Sequence, residues 1–141
     1  MRMAALAASL PIVAACGGAP DDPCAGAAPQ QLDVLYAKYF RAGVITGCSA
    51  SGCHEPGSRQ INDGFTFASA HEMWQKSLGL QPLESSLPYV KPGDPNGSYL
   101  FRKLLPGIVD RMPRGGPYFT QAQLDEIRGW ICAGAPEPPQ Q

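Results

Sequence analysis

The sequence predicts a small all-α domain of about four short helices joined by long loops. Four segments carry large apolar residues at helical spacing. The 16 glycines and 15 prolines of the 141-residue chain concentrate between and beside these segments, where they break regular structure. Once both ends are set aside, about 100 residues remain, which is the size of one domain.

The N-terminus has the features of an export signal. Arg2 precedes an apolar run from Ala4 to Ala15 that is too short to span a bilayer. The following "VAAC" resembles the lipobox of bacterial lipoproteins, which implies cleavage before Cys16 and acylation of that cysteine. The alternative is an ordinary secretory signal cut at a small residue nearby. Lipid on Cys16 would anchor the protein to a membrane, facing the periplasm. Gly17, in place of the aspartate that retains many lipoproteins at the inner membrane, favours the outer membrane.

Composition divides the rest of the chain. Residues 16–29 are rich in Gly, Ala, Pro and Asp and predict a flexible tether after the signal peptide of residues 1–15. The folded domain is expected over 30–135, and "PEPPQQ", residues 136–141, predicts a disordered tail. The formal net charge is −1 and the basic residues are scattered, which argues against nucleic acid as a partner.

The first two helices follow from periodicity and caps. The segment "QQLDVLYAKYFRAG" places its large apolar residues on nearly one face and ends at Gly43. In "ASAHEMWQKSLG", Ser69 and Glu72 have the spacing of a capping box, and Gly79 ends the helix.

The last two helices are predicted in the same way. "NGSYLFRKLLPG" offers Gly97 and Ser98 as cap candidates and is stopped by Pro106. "FTQAQLDEIRGWICAGAP" has Thr120 as N-cap, with Gln123 to complete the box. The apolar stripe of this helix is Leu124, Ile127 and Ile131.

Such short helices offer few large aliphatic side chains to a core. Loops as long as those in this chain usually serve a function. A domain of this size with so little core needs further support, such as a bound apolar group or disulfides. We therefore expect a prosthetic group, disulfides or both.

The cysteines allow two arrangements. With Cys16 assigned to lipid, Cys24, Cys48, Cys53 and Cys132 remain. Outside the cytoplasm thiols are oxidised, so an even set favours pairing. Either the four form two disulfides, or one disulfide joins Cys24 to Cys132 while the other two cysteines are used covalently by another group.

The segment "TGCSASGCHEP" contains the most informative motif. Cys48 and Cys53 are separated by four residues, and His54 follows directly. The haem-attachment motif C-x-x-C-H has the same order with a two-residue spacer. The four small residues "SASG" could form a bulge against a flat ring. The alternative is a small disulfide loop beside a solvated histidine.

Three segments in order resemble a known family: "CSASGCH", "VKPGDPNGSYLFRKL" and "RMPRGGPYFTQAQLDEIRGWICAGA". They are similar to the small class I c-type cytochrome domains of bacterial envelope lipoproteins, and the similarity runs from about Tyr36 to Ala135. It implies a cytochrome c-like fold with one covalent haem c bound through Cys48 and Cys53. It also implies His54 and Met112 as the two axial ligands of the iron.

The residues around the implied ligands have alternatives of their own. Met112 lies in the polar loop "DRMPRGG", with no hydrophobic period to explain it, although a loop methionine can also pack on a core edge. Met73 belongs to a helical pattern and is expected in the core. His71 is expected as an exposed residue at a helix start rather than as a second histidine ligand. Arg111 and Arg114 could pair with haem propionates or could simply be solvated.

Two classes of function remain open. The first is a lipid-anchored, one-electron carrier that exchanges electrons with a redox partner protein. The second is a haem-free, disulfide-stapled binding or structural module on a cytochrome-like scaffold. We expect no enzyme, because the sequence shows no catalytic Ser/His/Asp order, telling carboxylate pair or phosphate loop.

Overall fold

The computed structural model describes residues 22–58 and 63–140. Over these ranges the chain is all-α, as predicted, and no strand forms. The first helix, α1, spans Leu32–Leu35 and continues directly as a π-helical turn, Tyr36–Phe40; α2 spans Ala70–Gly79, α3 spans Tyr99–Leu104, and α4 spans Gln121–Cys132. No helix in the described part of the chain is long and apolar enough to cross a membrane. The predicted signal peptide and the lipidation site Cys16 lie outside the described residues.

All four helices contribute to one hydrophobic core. Trp130 of α4 is fully buried at its centre, and its indole N–H donates to the Pro136 carbonyl at 3.1 Å. The stripe predicted for α4 is buried as expected. The other large buried side chains are Leu32, Leu35, Tyr39, Phe40, Phe65, Phe67, Met73, Tyr89, Val90, Leu100, Phe101, Leu104 and Phe119.

The caps predicted for α2 and α4 are present. The Ser69 hydroxyl accepts the Glu72 N–H, and Thr120 and Gln123 form a complete capping box. The Glu72 carboxylate accepts from Ala68 rather than from the cap residue, so the α2 box is only half formed. At α3, Ser98 holds the cap position without a side-chain capping bond.

The first helix ends at Phe40, three residues before the predicted stop at Gly43. The helix ends early because its last carbonyls bond to the loop that follows. The Tyr39 carbonyl accepts the Thr46 hydroxyl at 2.9 Å, and the Phe40 carbonyl accepts the Ser49 N–H at 2.9 Å. These bonds replace further helical turns and attach the loop that contains Cys48 to the end of the helix.

Residues 22–29, which composition assigns to a tether, lie along α4. A disulfide joins Cys24 to Cys132, and Arg128 donates to two backbone carbonyls of the segment at 3.0 and 3.3 Å. At Gly129 a Cβ atom would lie 2.0 Å from a carbonyl oxygen of this segment. The packed domain therefore includes residues 22–29, which we call the N-terminal strap.

The start of the predicted tail is also packed. The Trp74 indole N–H donates to the Ala135 carbonyl at 3.0 Å, and Trp130 donates to Pro136. Pro138 is buried. The two indoles thus hold the chain beyond α4 against the core, where composition alone predicts disorder.

Candidate functional site

A cavity of about 370 Å³ adjoins the core and is lined by three of the predicted site residues, Cys48, His54 and Met112. Its volume falls in the range of small-molecule sites, about 300–1,000 Å³. Most of its wall is apolar or aromatic, from Phe40, Phe65, Phe67, Met73, Tyr89, Leu100 and Leu104. Two loops far apart in the sequence, one with Cys48 and His54 and the other with Met112, therefore meet at one apolar cavity.

The loop from Cys48 to His54 folds as a bulged turn. The His54 N–H donates to the Cys48 carbonyl at 2.8 Å, and the Cys53 N–H donates to Ala50 at 2.9 Å. In a helical C-x-x-C-H turn, the histidine N–H would reach the first cysteine's carbonyl by the ordinary four-residue step. Here the same bond forms across two extra residues. Gly52, at φ +76°, adopts the left-handed conformation that the bulge requires.

The His54 ring is fixed by hydrogen bonding and stacking. Its Nδ1 lies 2.7 Å from the Phe65 carbonyl oxygen, which can only accept, so Nδ1 carries the hydrogen. In the neutral ring, Nε2 is then the nitrogen with a free lone pair. The Phe67 ring stacks on the imidazole at 5.9 Å between centroids and 14° between planes. Carbonyl bonding at one ring nitrogen is the usual way to orient a histidine that ligates metal through the other.

The two loop cysteines have different environments. Cys48 lines the cavity, and burial, with a smaller contribution from Cys53, raises the pKa of its thiol to about 12. Cys53 is exposed and does not line the cavity. Both are free thiols, so the small disulfide loop considered from the sequence is not formed.

Met112 lies in the loop between α3 and α4, half-buried, with its side chain in the cavity wall. Its N–H donates to the Lys103 carbonyl at 2.7 Å. The neighbouring Arg111 is only partly exposed and is hydrogen-bonded to backbone carbonyls. Its Nε–H donates to the Leu104 carbonyl at 2.8 Å, and its Nη2 donates to Phe119 at 3.3 Å.

Of the other residues considered in the sequence analysis, Arg114 and Met73 line the cavity and His71 does not. Arg114 lines the cavity but is largely exposed, 3.8 Å from the Asp110 carboxylate. Met73 is fully buried, as its helical pattern predicts, and contributes to the cavity wall. His71 does not line the cavity, and its Nδ1 lies 3.4 Å from the Glu137 carboxylate.

Two phenol–carboxylate pairs in the cavity wall were not predicted. The Tyr89 hydroxyl donates to Asp63, and burial, followed by this bond, raises the pKa of Tyr89 well above its ordinary value. The Tyr99 hydroxyl donates to Glu84 at 3.0 Å, and burial and that carboxylate raise its pKa to about 12. Asp63 and Glu84 lie in segments without periodicity, so no sequence signal places them beside the tyrosines.

No group of three or more His, Cys, Asp or Glu side chains suited to a metal ion occurs among residues 22–58 and 63–140. Comparison of the chain with known proteins found no matching protein-family model, curated protein or solved structure.

Proposed function

We propose that this protein is a monohaem c-type cytochrome that carries single electrons and is anchored in the cell envelope by lipid on Cys16. In this proposal the fold is cytochrome c-like, and haem c is attached covalently at the cysteine pair Cys48 and Cys53. His54 and Met112 are the axial ligands. The observation that carries the proposal is the meeting of an imidazole, a thioether and a thiol at one apolar cavity.

The residues present fit such a group. The partly open cavity of about 370 Å³ beside the core has the size of a small-molecule site, which supports the binding of a group there. Its aromatic and aliphatic wall suits a flat apolar ring. The cavity wall contains a histidine with one ring nitrogen held by a carbonyl, and also a methionine. Histidine and methionine are the ligand pair of many electron-transfer cytochromes.

Bound haem supplies a reversible one-electron change at its iron. The chain's own side chains set the conditions for it. The Phe65 carbonyl orients the His54 ring, and most of the cavity wall around it is apolar. A thioether ligand raises the reduction potential relative to a second histidine. Cys48 already faces the cavity, whereas the exposed Cys53 must turn its side chain inward to form its bond.

The test of the proposal is direct. The full chain is expressed in a bacterium with haem-attachment machinery, separated on a denaturing gel and stained for haem peroxidase activity. A stained band is the expected result. A colourless band would overturn the proposal and favour the haem-free module, and mass spectrometry would then show whether Cys48 and Cys53 are bonded to each other.

The assignment of Met112 is tested by substitution. Met112→Ala should abolish the weak sulfur-to-iron band near the red end of the oxidised spectrum, because alanine has no sulfur to bind the iron. Met73→Leu is the matched control, since Met73 also lines the cavity but belongs to the buried face of α2. Loss of the band in Met73→Leu, or its retention in Met112→Ala, would remove Met112 from the site.

A further inference from the structure

Met112 lies in the stretch between the end of α3 at Leu104 and the start of α4 at Gln121. No helix forms in this stretch, which contains three prolines and three glycines. A thioether ligand must nevertheless keep a constant position relative to the cavity. The backbone bond from Met112 to Lys103 supplies one fixed point.

Arg111 connects both ends of this stretch. Leu104 is the last residue of α3, and its carbonyl belongs to the group that lacks a partner within the helix and carries the negative end of the helix dipole. The Arg111 Nε–H donates to it at 2.8 Å. The Nη2 of the same guanidinium donates to Phe119, the residue before the N-cap of α4, at 3.3 Å.

The same guanidinium also stacks on an aromatic ring. Its carbon lies 4.3 Å from the centroid of Tyr118, within the range of a cation–π contact. The planar fork of arginine can make two hydrogen bonds and a stacking contact at once, which a lysine cannot. One side chain thus fixes the stretch at the end of α3, at the start of α4 and at Tyr118.

We infer that Arg111 is a positioning residue, which holds the Met112 sulfur in the cavity wall by tying the end of α3 to the start of α4. The inference rests on the proposed function. Arg114, three residues away, provides the contrast. Arg114 is largely exposed, and its one ion pair within the described part of the chain is with Asp110, at 3.8 Å, so it stabilises this stretch little.

The experiment measures how easily the methionine is displaced from haem. The oxidised protein is titrated with imidazole, which competes with the Met112 sulfur, and the sulfur-to-iron band is followed. We expect the Arg111→Gln protein to bind imidazole about tenfold more tightly than the parent, because the Met112 sulfur is held less firmly. This change corresponds to about 1.4 kcal/mol of binding free energy. Arg102→Gln, at an exposed position of α3 that does not line the cavity, should match the parent. Thermal unfolding of the oxidised proteins separates this effect from a general loss of stability.

The outcomes are distinct. Parental imidazole affinity in a folded Arg111→Gln protein would overturn the inference, as would an equal increase in Arg102→Gln. If Arg111→Gln lacks the helical circular dichroism of the parent, Arg111→Lys is titrated instead. Lysine keeps the charge but not the fork, so tighter imidazole binding than the parent supports the inference and parental binding overturns it. Absence of haem from the parent chain would instead overturn the proposed function.

Discussion

Cys48 and Cys53 lie in one short loop, yet the structure gives their thiols opposite environments. Burial raises the pKa of Cys48 from 9.0 to about 12, whereas Cys53 is exposed. The thiolate is the nucleophilic form, so Cys48 should react slowly while the haem-free chain is folded. The unfolded chain loses this thiol proton near pH 9 and the folded chain only near pH 12, so the free energy of unfolding should fall as the pH rises from about 9 towards 12.

We predict that iodoacetamide at pH 8 alkylates Cys53 of the folded, haem-free protein at least about tenfold faster than Cys48. The reason is the combination of exposure at one thiol with burial and a raised pKa at the other. Peptide mass spectrometry over time measures both rates in one sample. In denaturant the two rates should converge, which serves as the control. Equal rates in the folded protein would contradict the assigned environments.

The sequence identifies the side chains of the site better than the groups that hold them. Cys48, His54 and Met112 were predicted to meet, and the structure places all three around the cavity. The acceptor for His54 is the backbone carbonyl of Phe65. Every residue has a backbone carbonyl, so residue types do not reveal this bond. Cys53 was grouped with Cys48 from the motif, but its exposure depends on the bulge in the loop, which spacing alone does not determine.

At the scale of elements, α4 is the surface on which the N-terminal strap packs. Gly129 makes this possible, because a Cβ atom there would lie 2.0 Å from the Ala28 carbonyl oxygen. A backbone oxygen cannot move aside as the end of a flexible side chain could. The close approach therefore needs glycine at a helical position where alanine would otherwise be preferred.

We predict that Gly129→Ala lowers the free energy of unfolding by about 1–3 kcal/mol, through overpacking that its better helix propensity does not offset. Chemical denaturation followed by circular dichroism measures the change. Gly79→Ala is the matched control, since Gly79 ends α2 and a Cβ there meets nothing within 4 Å. Equal stability of the two variants would mean that the strap does not press on α4.

Whether a helix boundary was predicted correctly depends on which hydrogen bonds set it. The starts of α2 and α4 were predicted because Ser69 and Thr120 cap locally, within four residues of sequence. The end of the first helix was predicted three residues late, because the Thr46 hydroxyl and the Ser49 N–H, in the loop that follows, bond to its last carbonyls. Capping bonds between residues close in sequence can be predicted from residue types, whereas the bonds from the following loop that end the first helix cannot.

At the scale of the whole molecule, the all-α class follows from periodicity, whereas the packed extent of the domain does not. Composition marks residues 22–29 as a tether, whereas the disulfide predicted between Cys24 and Cys132 is present and binds this segment to the last helix. The bond spans 108 residues of sequence. Because nearly the entire packed domain lies within that loop, reduction should affect the stability of the molecule as a whole.

We predict that the double substitution Cys24→Ser and Cys132→Ser lowers the free energy of unfolding of the haem-free chain by up to about 4–5 kcal/mol. In the chain-entropy account, a cross-link around a loop of about 100 residues restricts the unfolded chain by this amount. The loss falls below that limit where the reduced chain keeps residual structure. Urea unfolding followed by circular dichroism gives the value for both proteins.

The control for this prediction is Cys53→Ser, which alters an exposed free thiol and should change the free energy of unfolding by less than about 0.5 kcal/mol. Reducing agent should lower the unfolding midpoint of the parent and of Cys53→Ser alike, but not that of the double variant, because only the double variant lacks the cross-link. If reducing agent leaves the parent unchanged, the strap is held by its other contacts, such as Arg128 with its carbonyls, and the disulfide adds little to the stability of the fold.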